Sequence, residues 1–559
     1  MTHSSFVTRA ALAALLIACA IPCATAGAQA SRPYRPAVDV LDYELALALP
    51  DTGDRIAGTA LLRVVRTQPT DTLVLDLVGM EVSDVRVGGR AVAFGRDSTT
   101  VRIPLVASAD GGIPVTKDAP SLADTLAVSV RYGGVPRDGL IISRDSLGRW
   151  MAFGDNWPNR ARHWIPSVDH PSDKATVTWL VEAPESLTVV ANGARVRRER
   201  VGRGRALTHW REARPISPYL MVIAAAPLVE VDLGESACGM TEFRSCVRQS
   251  VYAAPEARDY LPGPFTRAAE MVGWFSRTVG PFPYEKLAHL QSSTRFGGME
   301  NASAIFYAGN LFRRRALPLD LIAHETAHQW FGDAVTEREW SHLWLSEGFA
   351  TYFAELWRER FVGDTAFVRS MLAIRDRIVA SPVTAARPVL DTAQTNLMEL
   401  LNTNSYQKGG YVLHMLRREI GDSAFFQGVR RYYAAHRHAT ALTPDLRAAM
   451  EATAGRDLGW FFDQWLTRPG YAQVAYRWTH DPRARQVRLE LRQGDTFGPY
   501  RVSLPVRIVD AQGRARTVVV RVPAEREATI ALPGTFAQPP REVLADPRGD
   551  LLARFETLP

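Results

Sequence analysis

The segment His324-Glu325-Thr326-Ala327-His328 sets two imidazoles four residues apart, with a carboxylate beside the first. On a helix, positions four apart share a face, so both histidines can grip one metal ion. Eighteen residues separate His328 from Glu347, in Trp344-Leu345-Ser346-Glu347-Gly348-Phe349-Ala350. Two imidazoles and a carboxylate form a zinc set that keeps one position open for water. Glu325 stands where it can take a proton from that water. The pattern reads as a zinc hydrolase with His324, His328 and Glu347 as ligands and one Zn2+ per chain.

The elements that carry these residues are legible nearby. Leu321, Ile322, Ala323, Ala327, Trp330 and Phe331 surround the histidines, so the helix is read as buried. Polar groups on a buried helix need partners, and a metal supplies them. Asp320 and Gly332 delimit that helix. The third ligand opens a second helix, from Glu347 to about Arg360.

Further out, the period of the apolar pattern changes twice. From Val38 to about Leu233 it is strand-like: Leu41, Tyr43, Leu45, Leu47 and Leu49 alternate with polar or small residues, as do Leu73, Leu75 and Leu77. Pro264 to Val279 reads as helical, and Leu372 to Leu466 almost wholly so, with Thr443 as the cap of one helix before Pro444. Strands return near Tyr471. The expected fold class is multidomain α+β: a signal peptide at 1–30, an N-terminal all-β domain at 31–236, a mainly helical zinc catalytic domain at 237–469 and a C-terminal β-sandwich at 470–559.

The 559 residues carry a net charge of +7, from 66 basic and 59 acidic side chains. Only four of the bases are lysines (Lys117, Lys174, Lys286, Lys408), and the arginines are scattered among acids, so no nucleic-acid partner is expected. The densest cluster, Arg195 to Arg205, reads as a solvated hairpin. Arg9, the apolar run from Ala10 to about Pro22, and Ala28-Gln29-Ala30 make an export signal too short to span a membrane. The expected location is therefore periplasmic or extracellular. Leu16-Ile17-Ala18-Cys19 also resembles a bacterial lipobox, which would anchor the protein to a membrane at Cys19. Cys238 and Cys246 are either a short-loop disulfide or two buried thiols.

Phe296-Gly297-Gly298-Met299-Glu300-Asn301, just upstream of the metal pentad, resembles the Gly-x-Met-Glu-Asn signature of the aminopeptidase N family, gluzincins with a thermolysin-like catalytic domain. The metal motif, Pro281-Phe282-Pro283-Tyr284 and Gln329-Trp330-Phe331-Gly332 resemble that family as well. The resemblance implies a peptide substrate with a free N-terminus, zinc ligands at His324, His328 and Glu347, and the general base at Glu325. It implies that Glu300 binds the α-amine, with Gly297, Gly298, Met299 and Asn301 beside the substrate. Tyr406, in Tyr406-Gln407-Lys408-Gly409, matches the tyrosine that stabilises the tetrahedral intermediate. Gln407 and Ser346 depart from the family pattern. So does Trp157, which stands where a second amine-binding acid belongs; Asp155 is the nearest substitute.

The leading function is thus a secreted zinc aminopeptidase. Alternatives are the same zinc chemistry on another substrate, as an endopeptidase or an epoxide hydrolase, and a non-catalytic peptide-binding module.

Overall fold

Strand-forming alternation builds the first third of the chain as the sequence predicts, in a computed structural model that describes residues 34–105 and 125–558. The signal segment and Cys19 lie outside the described residues. Eight strands form the largest sheet, in the order Ala194–Gly202, Arg205–Ile216, Ala175–Pro184, Val38–Ala48, Ile56–Arg66, Thr125–Gly134, Glu81–Val87 and Arg90–Ala91. Val38–Ala48 and Ala175–Pro184 run parallel. Tyr43, Leu45 and Leu47 face inward as expected, but Leu41 does not. A bulge between Val40 and Asp42 resets the phase and buries Val38 and Val40 instead. The arginine-rich strand Ala194–Gly202 is exposed throughout and occupies an edge of the sheet. A four-stranded and a three-stranded sheet complete the N-terminal region.

The strand Val229–Ser236 falls within the stretch assigned by sequence to the N-terminal domain, yet it pairs with Val247–Ala253. It thereby joins a five-stranded mixed sheet, in the order Val229–Ser236, Val247–Ala253, Lys286–Ser292, Ala304–Ala308 and Gly298–Met299. Cys238 and Cys246 form a disulfide in the loop between the first two of these strands. The short strand Gly298–Met299 is the open edge, antiparallel to Ala304–Ala308.

The helix expected over Pro264 to Val279 is broken: Pro262–Phe265 and Ala268–Thr278 are separate. Helix α1 (Leu319–His328) ends at the second metal histidine, earlier than Gly332 suggested. The chain then turns through Gln329–Gly332, where Gly332 takes φ 114°. Helix α2 (Trp344–Phe361) starts three residues before Glu347 and buries 13 of its 18 residues. Helix α3 (Asp364–Val379) packs on α2, and helix α4 (Gly409–Ile420) follows a π-helical turn at Asn404–Lys408. Thr443 is not a cap by side chain: the Leu442 N–H donates to Asp445 Oδ2 at 2.7 Å, while Trp344 Nε1 donates to the Thr443 hydroxyl at 2.9 Å. That bond pins the first turn of α2. At the C-terminus a four-stranded and a three-stranded sheet form the β-sandwich. Among the described residues, no helix is long and apolar enough to cross a membrane.

Candidate active site

Helix α1 presents His324 and His328 on one face, and the first turn of α2 brings Glu347 against them. The two Nε2 atoms lie 3.0 Å apart. Glu347 Oε2 is 3.2 Å from His324 Nε2 and 3.3 Å from His328 Nε2. A tetrahedral zinc with bonds of about 2.0–2.2 Å spaces its ligand atoms by about 3.3 Å, so the set has the right size. Two ring nitrogens and one carboxylate oxygen in mutual contact are not all satisfied by a single proton; a cation between them meets all three. These residues fit a metal centre.

The ligands are held from behind. His328 Nδ1 lies 3.0 Å from the Phe331 carbonyl and 3.2 Å from the Ser346 hydroxyl, so serine at 346 does take part in orienting the ring. Gly332 makes this packing possible: a Cβ there would strike Ser346 Oγ and come within 3.0 Å of His328 Nδ1. Burial opposes the Glu347 anion, but the His328 charge and hydrogen bonds from His324 and His328 outweigh it and hold the carboxyl down to about 2.

Glu325 is buried, and burial pushes its carboxyl well above the usual range while His328 opposes the rise. Its carboxylate abuts the edge strand so closely that a Cβ at Gly298 would overlap it. Glu300, on the same segment, groups with Glu325 and His328: one ligand atom of each lies within 4.8 Å of the others. Burial pushes Glu300 up to about 7. The Glu300 segment is tied down by Gln329, whose amide donates to the Glu300 carbonyl at 2.8 Å and to Asp333 Oδ2 at 2.7 Å. Asn192 of the N-terminal region donates to the Ala302 carbonyl at 2.7 Å.

Tyr406 sits on the π-helical turn, its ring stacked on His324 with centroids 6.0 Å apart. Burial raises its phenol well above the usual value, reinforced by the Glu347 charge and a hydrogen bond to that carboxylate. The turn reaches the site because α2 and α4 cross backbone to backbone: a Cβ on Gly348 would lie 2.8 Å from Gly409 C.

A cleft of about 580 Å³ opens over these groups. Gly297, Gly298, Met299, Glu300, His324, Glu325, His328, Glu347 and Tyr406 all line it. Two candidates do not. Asn301 is fully buried, and its side-chain atoms make no hydrogen bond. Asp155 is also fully buried and is paired with arginine: Arg160 Nη2 lies 2.9 Å from Oδ1 and Arg295 Nε 3.6 Å from Oδ2. Its charge is already answered, and it lies outside the cleft wall. Trp157 lines the cleft instead, edge-on to Phe296 and Trp340. Sequence reasoning also missed the wall formed by α3. Ser370, Ala373, Ile374 and Arg377 line the cleft at i, i+3, i+4 and i+7, a spacing that marks one helix face without saying what it faces.

A buried two-histidine, one-glutamate centre with a carboxylate beside it is the architecture of metallohydrolases. Comparison with known proteins agrees. The Peptidase family M1 domain matches residues 266–465 and the Peptidase M1 N-terminal domain residues 40–220. The chain belongs to peptidase family M1. It is 25% identical over 428 residues to a leucyl aminopeptidase of Saccharolobus solfataricus, covering 72% of this chain and 50% of that protein. It is 29% identical over 334 residues to an aminopeptidase N of Streptomyces lividans, covering 56% and 37%. The chain thus spans half or less of the length of these curated relatives. The crystal structure of an M1 zinc metallopeptidase from Deinococcus radiodurans superposes with a TM-score of 0.67 at 26% identity, covering 78% of this chain and 95% of that one.

Proposed function

We propose that this chain is an exported zinc aminopeptidase. One observation carries the exopeptidase part: a second buried acid, Glu300, stands beside Glu325 and His328 within 4.8 Å. An α-ammonium held at Glu300 places the first peptide bond, and no later one, over the metal centre. His324, His328 and Glu347 would hold a zinc ion, which would supply a Lewis acid and acidify a water there. Glu325 accepts the proton and delivers it to the leaving amine nitrogen. The Tyr406 hydroxyl donates to the scissile carbonyl oxygen as charge develops there. Trp157 closes the amine end with an apolar face, so Glu300 alone among the acids that line the cleft near that end serves the amine.

The test compares an aminoacyl p-nitroanilide with its N-acetylated form. Turnover of the free amine alone, abolished in Glu325→Gln with zinc retained, is the expected result. Cleavage of both forms at equal rates would replace the reading with an endopeptidase or another hydrolase. Export rests on the signal-like residues 1–30 and on the Cys238–Cys246 disulfide, which suits an oxidising compartment. Mass analysis of the mature N-terminus in a bacterial host tests it: Ser31 free marks signal cleavage, and a lipidated Cys19 marks an anchor.

A further inference from the structure

We infer that Arg377 receives a carboxylate on the leaving-group side of the scissile bond, and that the enzyme is thereby tuned to short peptides with a free C-terminus. The inference rests on the aminopeptidase reading above and deepens it.

The cleft lining holds two cations, Arg358 and Arg377. Arg358 is already engaged: its Nε lies 2.9 Å from Glu355 Oε2 and its Nη2 3.6 Å from Asp320 Oδ2. Arg377 has no carboxylate partner among the described residues, and it is exposed to the cleft. Its position follows from the helices. α2 and α3 are joined through Val362 and Gly363, so they run back to back. α2 leads away from the metal centre, lining the cleft at Glu347, Thr351, Ala354, Glu355 and Arg358. α3 returns beside it, with Ser370 hydrogen-bonded to Glu355 at the outer end. From Ser370 to Arg377 the helix climbs seven residues, about 10 Å. From Glu355 back to Glu347 is eight residues, about 12 Å. Arg377 therefore stands level with the first turns of α2, on the wall it shares with Leu401 and Gln407 of the Tyr406 segment.

The amine end is fixed elsewhere, at Glu300 on the edge strand. A peptide anchored there leaves along the walls that remain, those of α2, α3 and the Tyr406 turn. Its second and third residues, at about 3.3 Å each, come abreast of α3. An acid at one end of the cleft and an unpaired guanidinium at the other complement a zwitterionic di- or tripeptide. Guanidinium is the side chain that best matches a carboxylate, because its fork can bind both oxygens.

The experiment measures kcat and KM for a tripeptide such as Leu-Gly-Gly as the free acid and as the C-terminal amide. The wild type should favour the acid by about tenfold or more in kcat/KM, carried by KM, as expected for one charge-assisted contact. In Arg377→Gln the acid-to-amide ratio should fall to about one, and Arg377→Lys should restore part of it. Equal rates for acid and amide in the wild type overturn the inference, as does a preference that survives Arg377→Gln. An amidated peptide with Asp or Glu at its second or third position that regains the full rate through Arg377 also overturns it, by showing a side-chain carboxylate as the ligand. Wild-type turnover of an aminoacyl p-nitroanilide, which has no carboxylate, is read alongside. If that substrate is cleaved and the acid preference is missing, this inference alone fails; if it is untouched, the aminopeptidase reading fails first.

Discussion

Gly298→Ala should disable the enzyme without emptying its metal centre. The added methyl would fall inside the Glu325 carboxylate, and even the more distant Cγ would be only 2.7 Å away. Ordinary contact begins near 3.4 Å, so Cγ must retreat by about 0.7 Å and the carboxylate by more. The edge strand cannot yield instead, because Gly298 is paired with Tyr307 and Met299 with Phe306. A misplacement of about 1 Å in a catalytic group costs roughly 10²-fold. The expected result is a kcat lowered by about two orders of magnitude, with zinc stoichiometry intact and a stability loss of about 1–3 kcal/mol from overpacking. Gly297→Ala is the control. A Cβ there meets nothing within 4 Å, so it should change KM through the substrate and spare kcat. The assay is steady-state hydrolysis of an aminoacyl p-nitroanilide, with metal analysis and thermal unfolding on the same preparations. Wild-type kcat in Gly298→Ala, or an equal kcat loss in Gly297→Ala, would refute the steric argument.

Tyr406→Phe removes one donor aimed at the developing oxyanion and should lower kcat by about 10²–10³ with little change in KM; a change confined to KM would make Tyr406 a substrate-binding group. Glu347→Ala should lower bound zinc and activity together, checked by metal analysis after dialysis, and full occupancy would remove it from the ligand set. Asp546 offers a pH test away from the site. Burial pushes its carboxyl up to about 7, against hydrogen bonds from the Asp550 and Leu551 N–H groups that favour the anion. A raised folded value means that its contribution is whole below about 4, the unfolded value, and is lost as pH rises through about 7. Melting temperatures of Asp546→Asn should therefore fall less than those of the wild type between pH 5 and 8; parallel curves would show that Asp546 does not titrate there.

The metal site was legible because its chemistry fixes short-range spacing: two histidines on one helical face and a glutamate opening the next helix need only local rules. Tyr406 and Glu300 came from family resemblance, since nothing in their own neighbourhoods marks them. Asp155 does not line the cleft, for a reason that sequence does not display. It was the nearest acid in the chain, but Arg160, five residues on, and Arg295, 140 residues on, neutralise it. Asn301 likewise does not line the cleft, within a motif whose other members do. The strand Val229–Ser236 has good β alternation, but alternation does not name the sheet a strand joins. The wall of α3 was unread because an amphipathic face faces a core far more often than a cleft.

Lys174 joins the two matched regions in a way their boundaries do not suggest. From the N-terminal region its ammonium reaches the Asp333 and Ala334 carbonyls at 2.8 and 2.9 Å, the Thr336 hydroxyl at 2.9 Å and the Ala439 carbonyl at 3.2 Å. Those acceptors lie on the turn that leaves the metal helix and on the strand beside it. Cut away the first 236 residues and the buried residues Asp333, Ala334 and Thr336, with the exposed Ala439, lose the ammonium that gathers them. The seam between the two regions is thus no module boundary for protein engineers. A catalytic half moved onto a foreign N-terminal half carries its metal ligands with it, but leaves behind the ammonium that ties the turn after the metal helix to the strand Ala439–Ala441.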